Sequence, residues 1–118
     1  WISRLESPAT LGDEHRRAIL GALTQSETLE RWLSKRYQGK KRFSLEGGET
    51  LIPMLRMMTD RAGELGTREI IVGMAHRGRL NVLRNYLGKG LDRLITEFED
   101  SWTEGADAGG GDVKYHRG

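Results

Sequence analysis

The side chains best suited to chemistry fall in one run, His76-Arg77-Gly78-Arg79-Leu80-Asn81. It follows Glu69-Ile70-Ile71-Val72-Gly73-Met74, whose β-branched, apolar character predicts a strand buried on both faces of a parallel sheet. In open α/β sheets ligands bind outside the carboxyl ends of the strands. The start of the next helix adds unpaired N–H groups and partial positive charge. Two guanidiniums and an imidazole at such a junction make an anion site. Phosphate and carboxylate are the natural guests, because guanidinium meets both in bidentate geometry. The plain alternative is a set of solvated surface residues, although positive charge at a helix N-terminus opposes the dipole unless an anion offsets it.

Two weaker candidates stand apart from this run. Phe43-Ser44-Leu45-Glu46-Gly47-Gly48 ends in paired glycines that mark either a tight turn or a close backbone approach to a ligand, and the turn is the simpler reading. His116, in Lys114-Tyr115-His116, reads by itself as a surface or core histidine. His15, among Glu14, Arg16 and Arg17, reads as solvated. Other chemistries lack their residues. Three scattered His and no Cys give no zinc-ligand spacing. The dinucleotide and P-loop glycine patterns are missing, as is a nucleophile elbow. Met54, Met57 and Met58 read as core filler.

The elements that must position these residues read as helix, strand, helix. Ile19, Leu20 and Leu23 recur at helical spacing behind Asp13-Glu14. Thr24-Gln25-Ser26-Glu27 matches a capping box, predicting a second helix with Leu29, Trp32 and Leu33 on one face. Gly39-Lys40-Lys41-Arg42 reads as a basic hinge. A long helix is expected over roughly Glu49 to Leu65, carrying Leu51, Ile52, Leu55, Met58, Ala62 and Leu65, with Pro53 tolerated in its first turn and Gly66 as its cap. After His76 a helix with Leu80, Leu83 and Leu87 runs to Gly88, and another spans about Leu91 to Phe98. Gly105 to Gly111 reads as a flexible loop before a last extended segment, Val113 to His116. The order predicts an α/β fold, part of a parallel-sheet domain preceded by a small helical segment: 1–38 helical, 39–118 the start of the α/β domain.

The bulk numbers agree with one small domain. The chain has 118 residues, and 19 basic against 17 acidic side chains leave a formal charge of +2, so no nucleic-acid partner is demanded. The absence of Cys excludes a disulfide scaffold and fits a reducing compartment. The apolar stretches are too short to span a membrane. The chain opens at Trp1 and stops at Gly118, just after the ordered-looking run Asp112 to His116, and is read as an internal piece of a longer protein.

Three segments together carry a family resemblance: Lys41-Arg42-Phe43-Ser44-Leu45-Glu46-Gly47-Gly48, then Gly73-Met74-Ala75-His76-Arg77-Gly78-Arg79-Leu80-Asn81-Val82-Leu83, then Gly111-Asp112-Val113-Lys114-Tyr115-His116. Their order and spacing resemble the 2-oxoglutarate dehydrogenase family, whose first component decarboxylates 2-oxoglutarate on thiamine diphosphate with Mg²⁺. The succinyl group is then passed to a lipoyl arm of the succinyltransferase component. The resemblance implies that His76 and His116 face the substrate carboxylates and the reacting centre. It places Arg77 on the cofactor and makes Phe43 a wall of the substrate pocket. It also implies a homodimer with a site shared between subunits, and a bacterial cytoplasm in preference to a mitochondrial matrix. The metal ligands, and the acidic residue that activates the thiazolium, would lie beyond Gly118. Arg84, Tyr86, Met57-Met58 and Arg117 depart from the family's usual residues but touch none of the three segments. An inactive fragment acting as a protein-interaction module, or as a general anion binder through Lys40, Lys41, Arg42, Arg77 and Arg79, is the rival reading.

Overall fold

A computed structural model describes residues 11–103, with side chains described for 11–99. Among these residues there are four helical elements: α1 (Asp13–Arg36), α2 (Leu51–Glu64), α3 (Arg79–Asn81), which runs on into a π-helical stretch (Val82–Tyr86), and α4 (Leu91–Thr103). None of these helices is long and apolar enough to cross a membrane.

Helix α1 is one continuous element of 24 residues, not the two helices expected from the capping-box pattern. Thr24 explains the difference. Its hydroxyl donates back to the Leu20 carbonyl at 2.8 Å, so it bonds within the helix instead of capping a new one. Asp13 and Glu14 in the first turn, and Lys35 and Arg36 in the last, complement the helix dipole. Ala22, Ser26, Leu29, Glu30 and Leu33 form the buried stripe, whereas Trp32, expected beside Leu29 and Leu33, is 41% exposed. One member of that stripe is a carboxylate.

Helix α2 lies where the periodicity placed it. Its end is a Schellman turn: Gly66 N–H donates to the Gly63 carbonyl and Thr67 N–H to the Ala62 carbonyl, with Gly66 at φ 85°. Ile52 is fully buried, but Met58 and Leu65, assigned to the same face, are exposed. Ala22, Ile52 and Val82 meet Leu45 of the 43–48 loop in one buried cluster, with Leu51, Leu55 and Tyr86 packed against it. At the other end of α1, Tyr37 stacks edge-on against Phe98 of α4 at 5.0 Å, and its hydroxyl donates to Glu99 at 2.6 Å.

The α/β parallel-sheet expectation is wrong for this chain. Among the described residues there is no strand. Residues 69–74 carry no regular secondary structure and have no partner strand among the described residues, and Ile71 is 91% exposed. An apolar β-branched run specifies a strand only where a second strand meets its N–H and C=O groups. Here the core is instead closed by helix faces and one loop. The expected extended segment Val113 to His116 and the Gly105 to Gly111 loop lie outside the described residues.

Two outcomes follow from this packing. Large exposed side chains at Leu20, Met58, Leu65 and Ile71 leave much apolar surface in water. The isolated 118-residue chain is therefore expected to melt broadly or aggregate, and a sharp, cooperative calorimetric transition would contradict this. Burial first, and then the hydrogen bond to Glu99, raise the Tyr37 phenol above its ordinary 10.0. A raised folded value means the neutral phenol contributes stability that is complete below pH 10.0 and is lost as pH rises through the folded value. Tyr37→Phe should remove that alkaline loss, as read by far-ultraviolet circular dichroism against pH.

Candidate functional site

The 43–48 loop and the 76–79 turn build a single corner. Gly78 N–H donates to the Phe43 carbonyl at 2.6 Å, and the Arg77 guanidinium donates to the Glu46 carbonyl at 3.1 Å. The Phe43 and His76 rings lie 5.0 Å apart at 37°. Phe43 and the adjacent pair His76 and Arg77, which begins 33 residues further on, are thus neighbours. Phe43 and His76 are half-buried and Arg77 is exposed, so the corner opens to solvent through a guanidinium. His116 lies outside the described residues.

Close backbone contact makes the corner possible. Gly78 is buried at φ 77°, and a Cβ there would stand 2.5 Å from the Leu45 Cδ1. Leu45 is 4% exposed and belongs to the core cluster, so the loop cannot retreat without opening the core. Phe43 itself sits at φ 48°, a left-handed conformation costing a residue with a Cβ about 1–3 kcal/mol. That cost places its carbonyl against Gly78 N–H and its ring against His76.

A buried polar network holds the corner from beneath. Glu30, 5% exposed on α1, accepts from Ser44 Oγ at 2.8 Å with one oxygen and from Asn81 Nδ2 at 3.0 Å with the other. Asn81 is fully buried, also donates to the Ser26 carbonyl at 3.0 Å, and accepts from Asn85 Nδ2 at 2.8 Å. Ser44 adjoins Phe43, and Asn81 follows the His76-Arg77-Gly78-Arg79 run. Sequence reasoning missed Glu30. Its signal was a carboxylate on the buried stripe of α1, where burial requires partners. Asn81 stood in the highlighted run with no role assigned to it.

The π-helical stretch adds a second anchor. Leu87 N–H reaches back to the Val82 carbonyl at 2.9 Å, and the looser turn leaves the Asn85 carbonyl to accept from Arg56 Nε at 3.0 Å. Arg56 also donates to Gln25 at 3.1 Å, joining α2 to α1. Beside it lies a cleft of about 590 Å³, lined by residues that include Trp32, Arg56, Arg84 and Leu91. It shares no residue with the Phe43–His76–Arg77 corner, where the side chains suited to chemistry lie. Among the described residues no group of three His, Cys, Asp or Glu could hold a metal ion.

The geometry gives a direct expectation for Gly78. In the whole protein carrying this segment, Gly78→Ala should cost about 1–3 kcal/mol, because it adds both a clash and an unfavourable φ. Gly73→Ala, with open space around it, should stay within about 0.5 kcal/mol. Unfolding midpoints of the two variants check the difference, and equal midpoints would contradict it.

Comparison with known proteins supplies the family. No family model matches the chain, and no solved structure matches it. A curated relative from Cupriavidus necator, named 2-oxoglutarate dehydrogenase E1 component, is 49% identical over 121 aligned residues that take in the whole chain. Relatives of the same name from Brucella canis and Brucella suis are 44% identical over 123 aligned residues. The chain spans about 12% of the length of each of these relatives. Identity of 44–49% in alignments that cover the whole chain means that it belongs, as a match to one segment, to the 2-oxoglutarate dehydrogenase E1 component family.

Proposed function

We propose that this segment forms one wall of the active site of a thiamine-diphosphate-dependent 2-oxoglutarate dehydrogenase. The observation that carries this reading is the Phe43–His76–Arg77 corner, in a chain whose relatives bear that enzyme's name. The residues present suit an anionic cofactor and an anionic substrate. Arg77 is exposed and donates from one Nη to Glu46 O, so its remaining N–H groups are suited to diphosphate oxygens. Its bond to the Glu46 carbonyl orients the guanidinium at little cost in freedom.

When bound, thiamine diphosphate supplies the electron sink for loss of carbon dioxide; the protein contributes placement and electrostatics. His76 would donate a charge-assisted hydrogen bond to a substrate carboxylate and move a proton near neutral pH. Phe43, stacked beside it, would exclude water from that contact and limit the ring's rotation. His116 is assigned to the same substrate. Mg²⁺ would be held by residues beyond Gly118. In the whole protein a lipoyl-bearing succinyltransferase would receive the succinyl group, and a homodimer would complete the site. The bacterial sources of the relatives favour a bacterial cytoplasm.

The test uses the full-length protein with thiamine diphosphate, Mg²⁺ and 2-oxoglutarate. Carbon dioxide release is expected, and His76→Ala should lower kcat/KM by about 100-fold or more. Arg77→Ala should weaken thiamine diphosphate binding about tenfold, the worth of one charge-assisted contact. Full turnover by His76→Ala, or an inactive wild-type protein, would overturn the proposal.

A further inference from the structure

Glu30 has no place among the groups assigned to substrate or cofactor, yet it touches both halves of the corner. Its two oxygens accept from Ser44, next to Phe43, and from Asn81, one helical turn after Gly78. Both donors are neutral, and the carboxylate is 5% exposed. Burying a carboxylate is costly unless its oxygens are met. A Leu would fill a similar volume with no polar demand on its neighbours. The planar polar head does something Leu would not. It accepts twice in a fixed plane, so the separation of its two donors is set by covalent geometry. Ser44 is fixed further, since its hydroxyl accepts from Glu46 N–H at 3.1 Å, and Glu46 in turn offers its carbonyl to Arg77. One chain of contacts therefore runs from Glu30 through Ser44 and Glu46 to the Arg77 guanidinium. A second runs through Asn81 to the helix that carries Gly78 and the turn with His76.

We propose that Glu30 is a positioning residue for the Phe43–His76–Arg77 corner: its buried carboxylate sets the spacing of the loop and the turn and so places the imidazole toward an anionic substrate and the guanidinium toward the cofactor diphosphate. This rests on the reading of His76 and Arg77 as site residues. Small misplacements are expensive in catalysis, since a shift of about 1 Å can cost about 100-fold. Glu30→Ala removes both acceptors and leaves Ser44 and Asn81 to find new partners, loosening the corner while Leu45 and the apolar core remain. Glu30→Gln keeps an oxygen for Asn81 and an amide that can donate to Ser44 Oγ.

The experiment is a mutant cycle in the full-length enzyme, with rates normalised to folded, thiamine-diphosphate-loaded sites. Glu30→Ala should lower kcat/KM for 2-oxoglutarate by about 10- to 100-fold, with Glu30→Gln restoring it to within about threefold of wild type. In a His76→Ala background the same Glu30→Ala change should cost less than about twofold, because the imidazole it positions is gone and counting only loaded sites removes any loss through Arg77. A residue with only a structural role would cost the same factor in both backgrounds. A readout free of turnover is the affinity for glutarate, a dicarboxylate without the keto group, expected to weaken about tenfold in Glu30→Ala. If Glu30→Ala does not fold, Ser44→Ala removes one donor only and should show the same pattern at smaller size. Additive losses in the cycle, or unchanged glutarate affinity, overturn the positioning role while leaving the activity intact. An inactive wild type, or a fully active His76→Ala, overturns the functional reading and this inference with it.

Discussion

A buried carboxylate must have its oxygens met, and in this chain that requirement ties distant pieces of sequence together. Glu30 sits on the face of α1 that should carry only apolar residues. It is satisfied by Ser44 from one loop and Asn81 from a helix beyond another. Hydrogen bonds to a charged group are worth roughly 1.5–3 kcal/mol each, and stranding the charge would cost more than either bond. The loop and the helix are therefore held to α1 by a polar demand as well as by apolar burial. Asn81 extends the network to the Ser26 carbonyl and to Asn85, so the interior of this small fold is polar where it supports the corner.

Apolar packing and backbone geometry complete the arrangement. Leu45 is shared: its side chain belongs to the cluster with Ala22, Ile52 and Val82, and the same side chain presses on Gly78. That contact is why a glycine stands at 78, and why the Phe43 carbonyl can reach its N–H. Phe43 takes a left-handed conformation, held by the bond from Gly78 N–H to its carbonyl and by its ring contact with His76. Arg56, bridging Gln25 and the Asn85 carbonyl, stiffens the far end of the same helix.

The parts legible in the sequence were those governed by local rules. The limits of α2 and its Gly66 turn came from periodicity and a glycine, because a Schellman end depends on only a few residues. The His76-Arg77 run declared itself through charge at a helix start, and its link to Phe43 came from resemblance rather than from spacing. The failures share a cause. Thr24 had two possible partners, and only the folded helix decides that its hydroxyl turns back to Leu20. Ile70 and Ile71 carry strand-like side chains, but a strand is a relation between two segments, and no described segment pairs with them. Glu30 went unnoticed because the partners that give it a role lie 14 and 51 residues away in the chain.

The corner is the point where family membership and geometry converge. The comparisons name the family, while the structure brings Phe43, His76 and Arg77 to one place and leaves the guanidinium exposed. The most direct measurement is an experimental structure of the full-length protein with thiamine diphosphate bound. If the corner is one wall of the active site, the 43–48 loop and the 76–81 run remain joined through Glu30, with the Arg77 guanidinium against the diphosphate and His76 facing the substrate side. A cofactor bound away from this corner, or a Glu30 that contacts neither Ser44 nor Asn81 in the complete protein, would contradict that role.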